Sequence, residues 1–366
     1  MDPKIHTEKT VTSYQLFALL MSIMLGVGVL NLPRTLTDNI RTADGWISLF
    51  LAGIIVLLIY LFIIFAFKSH DIPSIDVYME QAFGRWVSKV LCILISGYFL
   101  LLTGWQAVAM SEMIRYFLLE KTPNYLVIIL IILLCGYVVY YPLPTLVRVA
   151  CLFLPIALIV LLFVLGIGTK DSVLYNIRPV ASEGFLPIVK NIQYALQSFQ
   201  GIEVVMILFA SLQSKANPNR GGAYALAFVT VIYMVTYLVV VSVLGVIEVQ
   251  TLTWPTITLT HAAETNVLFT ERMDTFLITA WTLQFFTTSM IALYAAVYLL
   301  DKSLPIRRGY LLLSCTIIAA VIAVLPETTF QIQKVSTWQQ YVFVFIFVIL
   351  PFVCYILVSI KKKVRA

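Results

Sequence analysis

Gly26-Val27-Gly28-Val29-Leu30-Asn31-Leu32-Pro33 decides the fold. It lies inside an apolar run long enough to cross a membrane, yet its composition opposes an unbroken helix. Each glycine costs about 1 kcal/mol relative to alanine in a helix interior. The proline removes a backbone donor and clashes with the preceding turn. In hydrocarbon, interrupted backbone persists only where protein or a polar cavity satisfies its N–H and C=O groups. The stretch therefore predicts a broken span that lines a cavity. Phe199-Gln200-Gly201-Ile202-Glu203 is a second break of similar character.

Composition sets the medium. Of the 366 residues, 61% are hydrophobic and 11% charged. A soluble domain has roughly 45–50% apolar and 25% charged residues. The chain reads as a single all-α membrane domain over 1–366, with no cleavable leader in the polar segment Met1–Thr12. Its net charge of +6 fits the excess of Lys and Arg on the cytoplasmic side of membrane proteins, and no basic stripe points to nucleic acid. The five cysteines all fall in apolar runs and read as small buried hydrophobes. His6, His70 and His261 lie in connections without metal-ligand spacing. No phosphate-binding loop or nucleophile–base pair is present. The expectation is a lipid-embedded protein that is not an enzyme, binds no nucleic acid and needs no metal or cofactor.

Ten spans are predicted, at about 12–38 (broken), 45–67, 90–119, 125–141, 145–167, 186–213 (broken), 221–247, 270–300, 308–325 and 339–360. With the N-terminus inside, about 15 of the 24 Lys and Arg fall on the inner side and about 9 outside, which puts both termini in the cytoplasm. Ser74 is placed to cap a short helix in the connection after the second span, with Val77, Ala82 and Phe83 against the bilayer or bundle. The 248–270 connection is expected to form a lid or interfacial helix, with Trp254 at headgroup level. Spans one and six are broken, and spans three and eight are overlong. Five spans separate each pair, so halves at about 12–167 and 186–360 would be inverted repeats whose broken first helices meet near the midplane.

The breaks carry the candidate chemistry. Backbone N–H groups at a half-helix start suit a carboxylate, and unwound carbonyls suit an ammonium or a cation. Gly26 and Gly28 are spaced i,i+2, which does not match the i,i+4 small-residue packing motif. Glu203 is an ionisable group inside a span, a position that costs about 2.5–3.5 kcal/mol on insertion scales. Two roles stay open for it: support of the helix start and gate, or direct ligand or proton work. The candidate ligand-binding positions are Gly26, Val27, Gly28, Val29 and Leu30 at the first break. Tyr98 in span three joins them, with Ser198, Phe199, Gln200, Gly201, Ile202 and Glu203 at the second break and Phe285, Thr287 and Thr288 in span eight. Thr103, Trp105 and Glu112 are weaker candidates in span three.

These motifs resemble a known group. The G-x-G break leading to Pro33, and F-x-G-x-E at 199–203, are similar to the first- and sixth-helix signatures of the amino acid–polyamine–organocation superfamily. Within it, the length, the opening Thr12-Ser13-Tyr14-Gln15-Leu16 and Asp76-Val77-Tyr78-Met79-Glu80 resemble the spore germination permeases, the B subunits of nutrient germinant receptors. The resemblance implies a leucine-transporter-like fold and a small germinant, expected to be an amino acid. It also implies partner A and C subunits in the spore inner membrane. The ligand carboxylate would meet Gly26 to Gly28, its amine the carbonyls around Phe199 to Ile202, and a cation would sit near Gly26, Thr288 and Ser289. Proton-coupled relatives carry a lysine in the fifth helix, where this chain has only Arg148 near its start. The resemblance thus implies a sensor, with an ion-coupled secondary amino acid transporter as the alternative.

Overall fold

The computed structural model describes residues 11–365 except Val27, Glu120, Ser214, 263–272 and 326–337. The expectations for Val27 and His6, and for part of the 248–270 connection, lie outside the described residues. Among those described, the chain is helical throughout, apart from turns and one isolated parallel bridge between Val11 and Leu212.

The first span is α1 (Ser13–Met24) and α2 (Gly28–Thr37), bent by 50°. Thr12 and Gln15 form a reciprocal capping box that fixes where α1 begins. Next come α3 (Gly45–His70), α4 (Ile75–Phe83), α5 (Arg85–Phe117), α6 (Asn124–Tyr140) and α7 (Leu143–Gly168). A second bent element follows, α8 (Phe185–Gln197) and the tight turns and short α9 (Val205–Leu208) spanning Ile202–Ser211, at 53°. The remainder is α10 (Pro218–Leu244), α11 (Val246–Thr251), α12 (Pro255–Ala262), α13 (Met273–Ser303), α14 (Arg308–Val324) and α15 (Trp338–Val364). A π-helical turn at Phe345–Ile349 interrupts α15.

Among the described residues, six helices are long and apolar enough to cross a membrane, and the two bent pairs raise this to eight. The apolar α6 and α14 have 17 residues each, about 26 Å of helix. The overlong runs are real helices: α5 has 33 residues and α13 has 31. These two pack along each other at the centre of the bundle, and α13 also meets α7, α6 and α1. On the other side α10 packs on α3 and α1. The first broken element is thus held between α10 and α13, while α8 of the second packs on α3 and α2.

The connections differ in part from expectation. The helix after Ser74 forms, but the Ser74 side chain makes no cap hydrogen bond, and Ile75, Tyr78, Met79 and Ala82 are its buried residues. Val77 and Phe83 are half-buried. Lys361 of α15 instead donates to the carbonyls of Gln81 and Ala82, at 3.0 and 2.8 Å, closing the end of α4. Trp254 is only 7% exposed; its ring is packed inward beside α12.

One buried carboxylate ties two distant connections. Asp44, before α3, accepts from Thr42 Oγ1 at 2.6 Å and from the Ala181 N–H at 2.9 Å. It is 1% exposed. Leaving a buried donor without its acceptor costs about 1–3 kcal/mol. Asp44→Ala is expected to lower the melting temperature of the detergent-purified protein by that free energy, measured by thermal unfolding followed by circular dichroism.

Candidate functional site

The last carbonyls of a helix have no partner within it. In α1 those groups point into the bundle, and side chains of other helices take them up. The Ser22 carbonyl accepts from Gln284 Nε2 at 2.6 Å and Thr288 Oγ1 at 2.9 Å, both on α13. The Met24 carbonyl accepts from the Tyr233 hydroxyl of α10 at 2.6 Å. The Gly26 carbonyl accepts from Trp281 Nε1 at 2.8 Å. Beyond the break, the Val29 carbonyl accepts from Thr256 Oγ1 of α12 at 2.9 Å.

Gly26 is required by this crowding. A Cβ there would stand 2.8–2.9 Å from the Gln106 amide and 2.9 Å from Thr288 Oγ1. Any larger residue must displace the side chains that close the break.

The second break satisfies itself differently. Successive tight turns from Ser198 to Val204 supply backbone partners. Gly201 adopts φ 103°, a left-handed conformation, and a Cβ there would meet Ile23 of α1 at 2.6 Å. Glu203 reaches back to accept the Gly201 N–H at 2.9 Å, and its other oxygen accepts the Tyr98 hydroxyl of α5 at 2.6 Å. The carboxylate is 1% exposed. Ser198 turns its carbonyl to a distant side chain, accepting from the same Tyr233 hydroxyl at 2.8 Å. Tyr233 therefore bridges the two breaks, with its ring edge-on to Phe199 at 5.5 Å.

A cavity of about 450 Å³ opens beside this joint, a size suited to a small ligand. Ile23, Met24, Gly28 and Asn31 line it from the first broken element, and Ser198 and Gln200 from the second. Leu102, Trp105, Gln106 and Glu112 of α5 form another wall, and Thr253 and Trp254 lie across one side. Arg34 and Asp38, paired at 3.5 Å, stand at its edge. Three polar atoms on lining residues have no hydrogen-bond partner among the described residues: Asn31 Oδ1 and Gln106 Oε1, both acceptors, and Gln200 Nε2, a donor. Asn31 is half-buried. Gln106 and Gln200 are 4% and 8% exposed.

The other candidate residues are spread around this centre. Val29, Leu30, Phe199 and Ile202 are buried in the surrounding core. Tyr98 and Glu203 bond each other behind the second break and do not line the cavity. Phe285 is fully buried. Thr287 returns its hydroxyl to Gln284 of its own helix, and Thr103 does the same with Phe99. Thr288 reaches the first break, whereas Ser289 Oγ is buried without a partner among the described residues. Arg148 is exposed on α7. Sequence reasoning passed over Tyr233, Trp281, Gln284, Gln106 and Thr256. The two glutamines carried a usable signal, since polar groups inside spans are rare and face the bundle interior.

Solved structures share this fold. The chain matches MhsT in complex with L-phenylalanine with a TM-score of 0.69 at 10% identity, covering 96% of this chain and 98% of that one. It matches a Na+-coupled sialic acid symporter at 0.65 with 12% identity, over 92% and 77% of the two chains. Mhp1, a nucleobase-cation-symport-1 family transporter, matches at 0.62 with 14% identity, over 92% and 76%. The chain is thus a multi-pass membrane protein with the helical fold of these transporters.

Its sequence relatives narrow the class. It is 35% identical over 360 residues to spore germination protein A2 of Bacillus subtilis strain 168, covering 98% of both chains. It is 27% identical to spore germination protein B2 of the same organism, again over 98% of both, and 23% identical to spore germination protein GerQB of Bacillus cereus over 99% of both. The sequence pattern described as spore germination protein matches residues 10–332. The chain belongs to the spore germination protein family, and it is a non-enzymatic membrane protein.

The joint makes a direct expectation. Tyr233→Phe keeps the ring but leaves the Met24 and Ser198 carbonyls without that donor. It should cost about 1–3 kcal/mol, read as a lower melting temperature in detergent. Tyr137→Phe, at an exposed tyrosine, is the control and should melt with the wild type. An unchanged Tyr233→Phe melt would show that the bridge contributes nothing.

Proposed function

We propose that this chain is the B-type subunit of a nutrient germinant receptor and binds a small germinant, an amino acid, in the cavity between the two breaks. The observation that carries the reading is the pair of interrupted helices tied by Tyr233 beside a cavity with two unpaired acceptors, Asn31 Oδ1 and Gln106 Oε1, and one unpaired donor, Gln200 Nε2, among the described residues. A zwitterion offers the matching groups: an ammonium for Gln106 Oε1 and a carboxylate for Gln200 Nε2 and the main chain at Gly28. The germination relatives support the role in spores, and the fold of small-molecule transporters supports a ligand between the broken helices.

In this reading the membrane domain has ten spans. The bent pairs are spans one and six, α6 and α14 are spans four and nine, and the two five-span halves are inverted repeats. Both termini face the cytoplasm, the membrane is the spore inner membrane, and A and C subunits complete the receptor. Binding favours one arrangement of the broken helices over another, and the signal equals the difference in affinity between the two. A cation near Gly26, Thr288 and Ser289 belongs to the transporter alternative. The exposed Arg148 on α7 favours sensing, because it supplies no cation at the joint.

Spores carrying Gly26→Val or Thr288→Val should need a substantially higher germinant concentration, measured as loss of optical density against dose at matched protein level. A normal dose response in both would remove the pocket. Proteoliposomes of the purified chain should bind the germinant without concentrating it. Ion-driven accumulation would instead establish the transporter.

A further inference from the structure

A second cavity, about 780 Å³, lies on the outer surface of the bundle between α1 and α10, away from the breaks. Tyr14 and Phe17 of α1 form one wall, and Tyr224, Phe228 and Val231 of α10 the other. Tyr14, Tyr224, Phe228 and Val231 are each more than half exposed. Since α10 is a 27-residue apolar helix, about 40 Å long, an outward-facing groove on it opens into lipid.

The groove is polar at one end only. There Ser13 Oγ accepts the Asn217 N–H at 2.8 Å, and Asn217 caps α10 by accepting the Arg220 N–H at 3.3 Å. Arg220 lines this end, is exposed and has no ion pair among the described residues. It stands in the first turn of α10, where the helix dipole is positive. The apolar wall runs from there to Val231, eleven residues or about 16 Å of helix. That is about half the ~30 Å hydrocarbon core, the depth of one leaflet.

A cation at headgroup level above an apolar channel one leaflet deep fits one kind of molecule. We infer that the α1–α10 groove is a binding site for an anionic phospholipid, with its phosphate on Arg220 and one acyl chain along Phe17, Tyr224 and Phe228. The site touches both the helix that ends at the first break and the helix that carries Tyr233. It does not depend on the germinant reading.

Native mass spectrometry of the full chain released from nanodiscs tests it, with phosphatidylglycerol against phosphatidylethanolamine as probes. The wild type should retain one phosphatidylglycerol with about a fivefold preference, the worth of one cation at an anionic surface. Arg220→Gln should abolish the preference, and Ala227→Trp, which fills the exposed groove, should abolish retention. Circular dichroism spectra matching the wild type would show that both variants fold. Equal retention of the two lipids by the wild type would overturn the inference, and so would a preference that survives Arg220→Gln. Should either variant fail to fold, the wild-type preference decides alone.

Discussion

A carbonyl released from its helix inside a bilayer has no water to turn to, and every other feature of this bundle's centre follows from that shortage. The end of α1 presents main-chain oxygens at Ser22, Met24 and Gly26, and each is met by a side chain from α10 or α13. Those two helices are therefore more than walls. They carry the donors without which the first span could not stop in mid-membrane, and the length of α13, 31 residues, lets it run past the break on both sides. The second break needs less help, because tight turns and the Glu203 carboxylate supply partners from its own sequence.

This asymmetry has a functional side. The first break is held by long-range contacts, with which a ligand would compete in the proposed reading, while the second is largely self-contained. In the proposed reading a guest in the adjoining cavity meets Asn31, Gln106 and Gln200, each with open hydrogen-bonding capacity among the described residues. Burying such groups unpaired costs free energy, which a molecule of matching polarity would recover.

Much of this was legible in the sequence. Gly26 and Gly28 marked the first break, and Gly201 and Glu203 the second, because glycine and charge are each disfavoured in a lipid-embedded helix; Pro33, read as part of the first break, instead lies inside α2. The unusual lengths of α5 and α13 were likewise plain from their apolar runs. The partners of the breaks were not legible. Tyr233 and Trp281 sit among many aromatics, in a chain of which aromatics make up 13%, and nothing local separates a tyrosine that caps a distant carbonyl from one that faces lipid. The inward packing of Trp254 was missed for a related reason: a tryptophan next to a loop suits an interface equally well until the α12 contacts are known. Thr287 and Thr288 are neighbours of the same chemistry and both hydroxyls reach the Gln284 carbonyl of their own helix, yet helix phase brings only Thr288 to Ser22 as well.

The Tyr233 bridge contains a mismatch of number. A phenol owns a single hydrogen, and two carbonyl oxygens approach it, at 2.6 and 2.8 Å. At any instant one oxygen is fully served and the other only shared, so the joint stores a small standing deficit of positive charge. A visiting ammonium close to either oxygen would make up that deficit and release the phenol to the other side. The clasp is thus weakest where the guest arrives, and the arithmetic of one proton between two acceptors makes the centre of the molecule easy to persuade.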